Sequence, residues 1–349
     1  RGGLDQYPAY CMMILNAQAD LMLQCLETDE PYPIRMGFYA GNNLMSCTSM
    51  QPKRWHDAII KSLEFCIGFD TFMNPSIQSS CDIFLPLKTI AERDGTVFTH
   101  YAPCTVTAGF MHKAITQGEG LTDYELCYTL GKHLRPEIWK DFANAKEFME
   151  ALRLGVREHG EYFDKVSQYV HCQIPIEYYK YEKGLMRTDG NPGFATPTGR
   201  VELWSTAYNQ FGEDPLPFYE EPHFSPYSEH EAMLPEYKEE YPMILTTGAR
   251  SFAFFHSEHR MIPYLRELNP DPIAEINPEA AQKYGVADGQ WVRLSSPFGE
   301  GVFKAKVTET VDAKTIHAQH AWWFPEEDPN EPNLYGNFRS NINELLPTF

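Results

Sequence analysis

Ile34-Arg35-Met36-Gly37-Phe38-Tyr39-Ala40-Gly41-Asn42-Asn43, then Pro52 to Ser62, then Phe65-Cys66-Ile67-Gly68-Phe69-Asp70-Thr71, is the stretch on which the fold turns. The first run is short and apolar, so it reads as a buried strand, and Gly41-Asn42-Asn43 stops it. Pro52 stands where a helix tolerates proline, in its first turn, and Trp55, Ile59 and Ile60 share one side of a helix predicted over 52–62. Phe65 to Phe69 reads as a second strand ended by Asp70-Thr71, and Asp82 to Leu87 as a third. Strand, helix and strand at this spacing predict a parallel α/β sheet, with ligand loops at the strand C-termini.

Working outward, Tyr10 to Leu26 predicts a helix before the first strand. Residues 111–185 read as mainly helical, with helices over Asp123 to Leu134 and Asn144 to His159. A dense turn region from Arg187 to Arg200 follows, and residues 212–242 read as a Pro- and Glu-rich linker marking a domain boundary. From Tyr241 the pattern is β-rich: Met243 to Thr247, Ala274 to Asn277, Trp291 to Ser295, Gly301 to Thr308 and Thr315 to Ala318. One short helix, Pro278 to Tyr284, opens with Asn277 as N-cap and stops near Gly285. Short strands with a single small helix predict a compact β-barrel. The chain therefore divides into an α/β segment at 1–110, a helical connecting segment at 111–240 and a β-barrel at 241–349.

The net charge of −19 argues against a nucleic-acid partner, since phosphate backbones demand a surplus of Lys and Arg. It leaves room for a small anionic ligand held by local cations and helix N-termini. The eight cysteines are scattered without a C-x-x-C pair, so neither an iron–sulfur nor a structural zinc site is signalled. No run approaches the roughly 18 apolar residues of a membrane-spanning helix. The start at Arg1 and the end after Leu345-Leu346-Pro347 read as cuts in a longer polypeptide. A targeting signal would then lie upstream, which leaves the compartment, cytoplasmic or periplasmic, open.

Several constellations could carry chemistry. Gly41-Asn42-Asn43 is either a plain turn or a loop whose backbone N–H groups hold a phosphate. Asp70 either caps its turn or accepts from a ribose hydroxyl or a guanine amino edge. His256-Ser257-Glu258-His259-Arg260, with Arg250, is either a solvated loop or a polar cluster facing an anionic group. An H-x-x-H metal site lacks a third ligand at suitable spacing. Asn341 and Asn343 offer paired donors and acceptors suited to a pterin or purine edge, or form a polar turn. The dinucleotide fingerprint G-x-G-x-x-G, the P-loop and the nucleophile elbow G-x-S-x-G are all absent.

Ser79-Ser80-Cys81-Asp82-Ile83-Phe84-Leu85-Pro86 with Glu92-Arg93-Asp94-Gly95-Thr96 resembles the "A-D-x-x-L-P … E-x-x-G-T" segment of the molybdopterin oxidoreductase, or dimethyl sulfoxide reductase, family. Gly193-Phe194-Ala195-Thr196-Pro197-Thr198-Gly199-Arg200-Val201-Glu202-Leu203 resembles its "G-F-x-T-P-T-G-K-x-E-L" turn. Thr246-Thr247-Gly248-Ala249-Arg250, with Ile276-Asn277-Pro278 through Gly285-Val286-Ala287-Asp288-Gly289, resembles the start of its cofactor-capping barrel. The likeness spans nearly the whole chain and is greatest to the branch holding thiosulfate and polysulfide reductases and acetylene hydratase-like relatives.

The resemblance implies the C-terminal half of such an enzyme: part of an α/β domain followed by a double-psi β-barrel. It implies bis(molybdopterin guanine dinucleotide) with molybdenum or tungsten as cofactor. Gly41, Asn42 and Asn43 would approach its phosphates or ribose, and Asp70 its guanosine. Thr247, Gly248, Arg250, His256, His259 and Arg260 would line the pterin or pyrophosphate, and Asn277, Asn341 and Asn343 would contact nucleotide or pterin edges. Gly41 departs from the family's usual G-x-N-P, because Leu44 follows Asn43. The family's N-terminal cysteine cluster and the segment with the protein ligand to the metal have no counterpart here. No catalytic or metal-ligating residue is therefore expected, and turnover by this chain alone is not. The partners implied are an N-terminal half, expected to carry any iron–sulfur cluster, and an iron–sulfur electron-transfer subunit. A non-catalytic module binding a nucleotide-like ligand or a partner protein is the alternative.

Overall fold

The structure, a computed structural model, describes residues 3–14, 16–99, 106–151, 163–168, 171–174, 177–249 and 251–348. The first sheet holds β1 (Met36–Ala40), β2 (Phe65–Asp70) and β3 (Ile83–Pro86), in that order. The Arg35 carbonyl accepts from the amides of Glu64 and Phe65, so β1 and β2 start side by side. The Cys66 and Asp70 carbonyls accept from the amides of Asp82 and Leu87, so β2 and β3 rise together. The sheet is thus parallel, as the strand–helix–strand spacing predicts.

The helix joining β1 to β2 is Pro52–Ser62, with the predicted bounds. Trp55, His56, Ala58 and Ile59 are buried, a spacing that sets one face inward. That face packs with Leu23 and Leu26 of the helix Ala19–Thr28 and with Tyr39, Met45, Cys66 and Ile77. Each large apolar side chain buried there is worth about 1.5–3 kcal/mol. The predicted helix over Tyr10 to Leu26 is replaced by two, Pro8–Ile14 and Ala19–Thr28. Gln18 caps the second by accepting from the Leu21 amide.

Contacts group the chain into two units. One comprises Arg1–Gly68, Met73–Phe84 and Pro217–Phe349; the other comprises Phe69–Phe72 and Leu85–Leu216. The second unit contains a feature the sequence reading missed, an antiparallel sheet of β4 (Gly95–Thr99), β5 (Val106–Met111) and β6 (His171–Ile174) in that order. Of these strands only β6 falls within the stretch 111–185 expected to be mainly helical; β4 and all but the last residue of β5 precede it. Small residues in Val106-Thr107-Ala108-Gly109-Phe110-Met111 blur the alternation that marks a strand. The helix Asp123–Leu134 has its predicted bounds because Thr122 and Glu125 form a reciprocal capping box. The predicted helix Asn144 to His159 is described only as Ala145–Ala151, and residues 152–159 lie outside the described residues.

The C-terminal strands are β7 (Ile244–Ala249), β8 (Ile273–Ile276), β9 (Trp291–Ser296), β10 (Gly299–Val307) and β11 (Thr315–Gln319), ordered β7-β11-β8-β10-β9. β7 pairs parallel with β11 and β10 parallel with β8, while β11 and β8 pair antiparallel. Along β10, Gly301, Phe303 and Ala305 are buried in alternation; Phe303 packs with Ala274, Leu294, Ala318, Ile342 and Leu345, and Ala305 with Ile276, Ala280 and Ala281. The helix Pro278–Tyr284 is capped as predicted: Asn277 Oδ1 accepts from the Glu279 amide, and Gly285 takes φ +69° past its end. The expected linker is partly packed instead. Ser225, Ser228 and Met233 are buried, and Phe224 meets Phe298 edge-on at 4.6 Å. Prolines there fix turns within a packed segment rather than loosen a tether. Among the described residues no helix is long and apolar enough to cross a membrane.

Candidate cofactor site

The loop after β1 begins with Gly41 at φ +54°, a left-handed backbone that suits glycine. Gly41 and Asn42 are exposed, whereas Asn43 is buried. Asn43 Oδ1 accepts from Ser76 Oγ at 2.9 Å, and Ser76 Oγ accepts from the Met45 amide at 2.9 Å. Asn43 Nδ2 is buried without a partner among the described residues. Leu44–Thr48 then forms one π turn, in which the Ser49 amide reaches the Leu44 carbonyl at 3.0 Å. A π turn closes its hydrogen bond five residues on, which leaves carbonyls within it to other partners.

The carbonyls freed by that turn are met from the far end of the chain. Asn341 Nδ2 donates to the Met45 carbonyl at 2.7 Å, and Asn343 Nδ2 to the Cys47 carbonyl at 3.3 Å. Asn341 Oδ1 accepts from the Asn343 amide at 3.1 Å, which fixes the pair. Asn337 joins them: Ser46 Oγ donates to its Oδ1 at 2.6 Å, and its Nδ2 reaches the Met45 carbonyl at 3.4 Å. Ser46, Asn337 and Asn341 are fully buried. Three of the expected site residues, Asn43, Asn341 and Asn343, therefore gather at one loop. The two C-terminal asparagines spend their amide groups on holding that loop in place. Ser46, Ser76 and Asn337 escaped the sequence reading; the dipeptide Gly336-Asn337 reads only as a turn.

A second gathering lies at the end of β7. Gly248 is exposed, and a Cβ there would meet nothing, so the strand end is open beside Thr247. Arg250 lies outside the described residues. In the following loop His256 and His259 take left-handed backbone at φ +49° and +71°, which costs about 1–3 kcal/mol at each residue. His256 Nδ1 meets His320 Nε2 at 2.9 Å. Arg260, only 3% exposed, donates to the carbonyls of His256 at 2.6 Å and His320 at 3.3 Å. Its guanidinium lies 4.8 Å from the ring centres of both Phe254 and Trp322. His259 is half-exposed, 3.7 Å from the Glu258 carboxylate.

Charge makes this cluster unusual. Arg266 faces the same Trp322 ring at 5.0 Å and is paired with Glu326 at 2.7 Å. Among the described residues no carboxylate pairs with Arg260. Burial pushes Arg260 down to about 9, Arg266 pushes the same way, and Cys47 opposes them. Among the described residues the buried Arg260 Nε and Trp322 Nε1 have no acceptor. A desolvated cation with spare donors and no carboxylate is an arrangement that an anionic group would complete.

Asn277 and Asp70 make bonds within their own surroundings. Asn277 Nδ2 donates to the Val311 carbonyl at 2.8 Å while its Oδ1 caps the helix, so both ends of its amide are engaged. Asp70 Oδ1 accepts from the Thr71 amide at 2.6 Å, the local cap. It falls in the second unit, among Phe69–Phe72.

Residues 243–348 match the family described as the molydopterin dinucleotide binding domain. Acetylene hydratase of Syntrophotalea acetylenica is 26% identical over 89% of this chain and 40% of its own length. Dopamine dehydroxylase of Eggerthella lenta is 27% identical over 93% of this chain and 37% of its own length. Among solved structures, acetylene hydratase from Pelobacter acetylenicus superposes with a TM-score of 0.79 at 23% identity, over 95% of this chain and 44% of that one; at this identity the likeness shows the fold. The chain thus spans about 40% of the length of the curated relatives it matches. Residues 243–348 match the molydopterin dinucleotide binding domain, and along most of its length the chain is similar to an acetylene hydratase, a dopamine dehydroxylase and a putative dimethyl sulfoxide reductase catalytic subunit.

Proposed function

We propose that this chain holds a molybdopterin guanine dinucleotide as the cofactor-binding part of a longer molybdenum or tungsten oxidoreductase. The observation that carries the reading is Arg260, a buried cation with a spare donor and no carboxylate. Asn43 Nδ2 and Trp322 Nε1, also buried without an acceptor among the described residues, would suit an acceptor-rich ligand of phosphates and pterin carbonyls. When bound, such a group supplies a metal centre held by dithiolene sulfurs, and the protein contributes binding, orientation and electrostatics. Arg260 would balance phosphate charge, and the open strand end at Thr247 and Gly248 would admit the ligand close to backbone. Gly41 and Asn42 would offer backbone N–H groups, while Asn337, Asn341 and Asn343 hold the loop that carries them. His256 and His259 would add donors at the rim. Asn277 and Asp70 belong to the reading only through the resemblance.

The same reading takes the C-terminal strands as a double-psi β-barrel. Its support is the symmetry of the pairing: an antiparallel contact between β11 and β8 is flanked on each side by a parallel one. The ligand to the metal, any iron–sulfur cluster and the substrate would come from the rest of the polypeptide, and an electron-transfer subunit would serve as partner. By itself the chain would not turn over substrate.

The test is retention of the guanine nucleotide after purification from cells that make the cofactor, comparing Arg260→Gln with the parent protein. The expected result is a large loss of nucleotide at unchanged far-ultraviolet circular dichroism. A folded variant that keeps its full nucleotide content would overturn the assignment.

A further inference from the structure

Cys66 lies in β2, and Cys81 lies between the helix Pro75–Ser80 and β3; both stand outside the cluster assigned to the cofactor. Their sulfurs are 3.6 Å apart. The backbone locks the two positions together: Asp82 Oδ2 accepts from the Cys66 amide at 2.8 Å, and the Cys66 carbonyl accepts from the Asp82 amide at 2.9 Å. Space for both sulfurs is built in by glycines on the neighbouring strands. A Cβ on Gly37 would stand 3.2 Å from Cys66 Sγ, and one on Gly68 would stand 3.0 Å from Cys81 Sγ. Cys66 is buried and Cys81 partly exposed.

We propose that Cys66 and Cys81 are a redox pair that closes reversibly to a disulfide and clamps the helix Pro75–Ser80 to β2. The clamp matters because the other end of that helix holds the cofactor-side loop. Ser76 Oγ receives the Met45 amide at 2.9 Å and donates to Asn43, while Asn74 Nδ2 reaches the Asn42 carbonyl at 3.4 Å. The pair is poised for sequential chemistry: the two sulfurs share one hydrogen bond, which holds the Cys66 thiol below its ordinary value and raises that of Cys81. With hydrogen peroxide as oxidant, one sulfur of the pair attacks, as its thiolate, one oxygen, giving a sulfenic acid and releasing hydroxide. The other thiol then displaces hydroxide from that sulfenic sulfur, and its proton completes water. Two thiols and one peroxide become one disulfide and two waters; an excess of dithiol reductant reverses the change by exchange.

Treat the protein with peroxide, alkylate remaining thiols with iodoacetamide, and map the peptides by mass spectrometry. The expected product is a Cys66–Cys81 linked peptide that disappears after dithiothreitol and does not form in Cys81→Ser. The Met45 amide should exchange hydrogen several-fold more slowly in the oxidised protein. Alkylation of both Cys66 and Cys81 under conditions that oxidise the exposed Cys127 would overturn the pair. So would a sulfinic acid at either position in place of the link. Unchanged exchange at Met45 in the linked protein would overturn the clamp. None of these readouts depends on bound cofactor, so the pair and the assignment of the cofactor site fail separately.

Discussion

Replacing Asn341 by alanine tests the interior logic of the site without any ligand. Its side chain makes two buried bonds, to the Met45 carbonyl at 2.7 Å and from the Asn343 amide at 3.1 Å. Alanine strands both backbone partners where water does not reach. A buried polar group left unsatisfied costs about 1–3 kcal/mol, so two suggest about 3 kcal/mol. Asn337 Nδ2 already reaches the Met45 carbonyl, but at 3.4 Å it recovers little. Asn341→Asp sharpens the test. It keeps the acceptor for the Asn343 amide but turns a carboxylate oxygen towards the Met45 carbonyl. Repulsion raises the folded-state pKa of that new acid, so the variant regains stability as pH falls and the proton returns to donate. Urea denaturation followed by tryptophan fluorescence reads the change, because Trp55, Trp322 and Trp323 are buried in the same unit. A loss below about 1 kcal/mol for the alanine variant, or no recovery of the aspartate variant at low pH, would show that the asparagines do not hold the loop.

Three further outcomes are expected. Burial raises Glu344 from 4.5 to about 7, against the opposing Lys53 amide, so the folded state holds this proton more tightly than the unfolded chain. Its stabilisation is therefore complete below about pH 4.5 and is lost as pH rises through about 7, a change of about 2–3 kcal/mol. Glu344→Gln should gain stability over the parent by that amount between pH 5 and 8 in denaturant titrations; a difference that does not vary with pH would refute the assignment. Gly68→Ala should destabilise by about 1–3 kcal/mol, since the new Cβ would meet Ile77 at 2.8 Å and Cys81 Sγ at 3.0 Å; an unchanged midpoint would contradict it. Asn277→Ala, which removes a cap and a bond to Val311, should cost about 1–2 kcal/mol and leave nucleotide retention intact; loss of nucleotide in a folded variant would give Asn277 a place at the ligand.

The legible parts of this chain are those specified locally. Pro52 starts one helix, Thr122 and Glu125 box another, and Asn277 with Gly285 brackets a third, so the predicted bounds of all three coincide with the structure. The π turn was illegible because it answers to partners on the other side of the sequence: Ser46 bonds Asn337 across 291 residues and Met45 bonds Asn341 across 296. Asn341 and Asn343 stood out as hydrogen-bonding residues, but their spacing could not say that they serve the loop. From the sequence Arg260 reads equally as part of a solvated loop or of a cluster facing an anionic group, and only the packing of Phe254 and Trp322 against it reveals a buried cation. The sheet β4-β5-β6 escaped because its short strands carry glycine, alanine and polar residues where alternation was sought.

On the proposed function this chain grips a molybdopterin dinucleotide. The most direct test is metal and nucleotide analysis of the protein, purified with whatever polypeptide it naturally belongs to. Molybdenum or tungsten by elemental analysis, with about two guanine nucleotides released per metal by acid, is the predicted result. A folded protein with neither metal nor guanine nucleotide, from cells that load other molybdopterin enzymes, would contradict it.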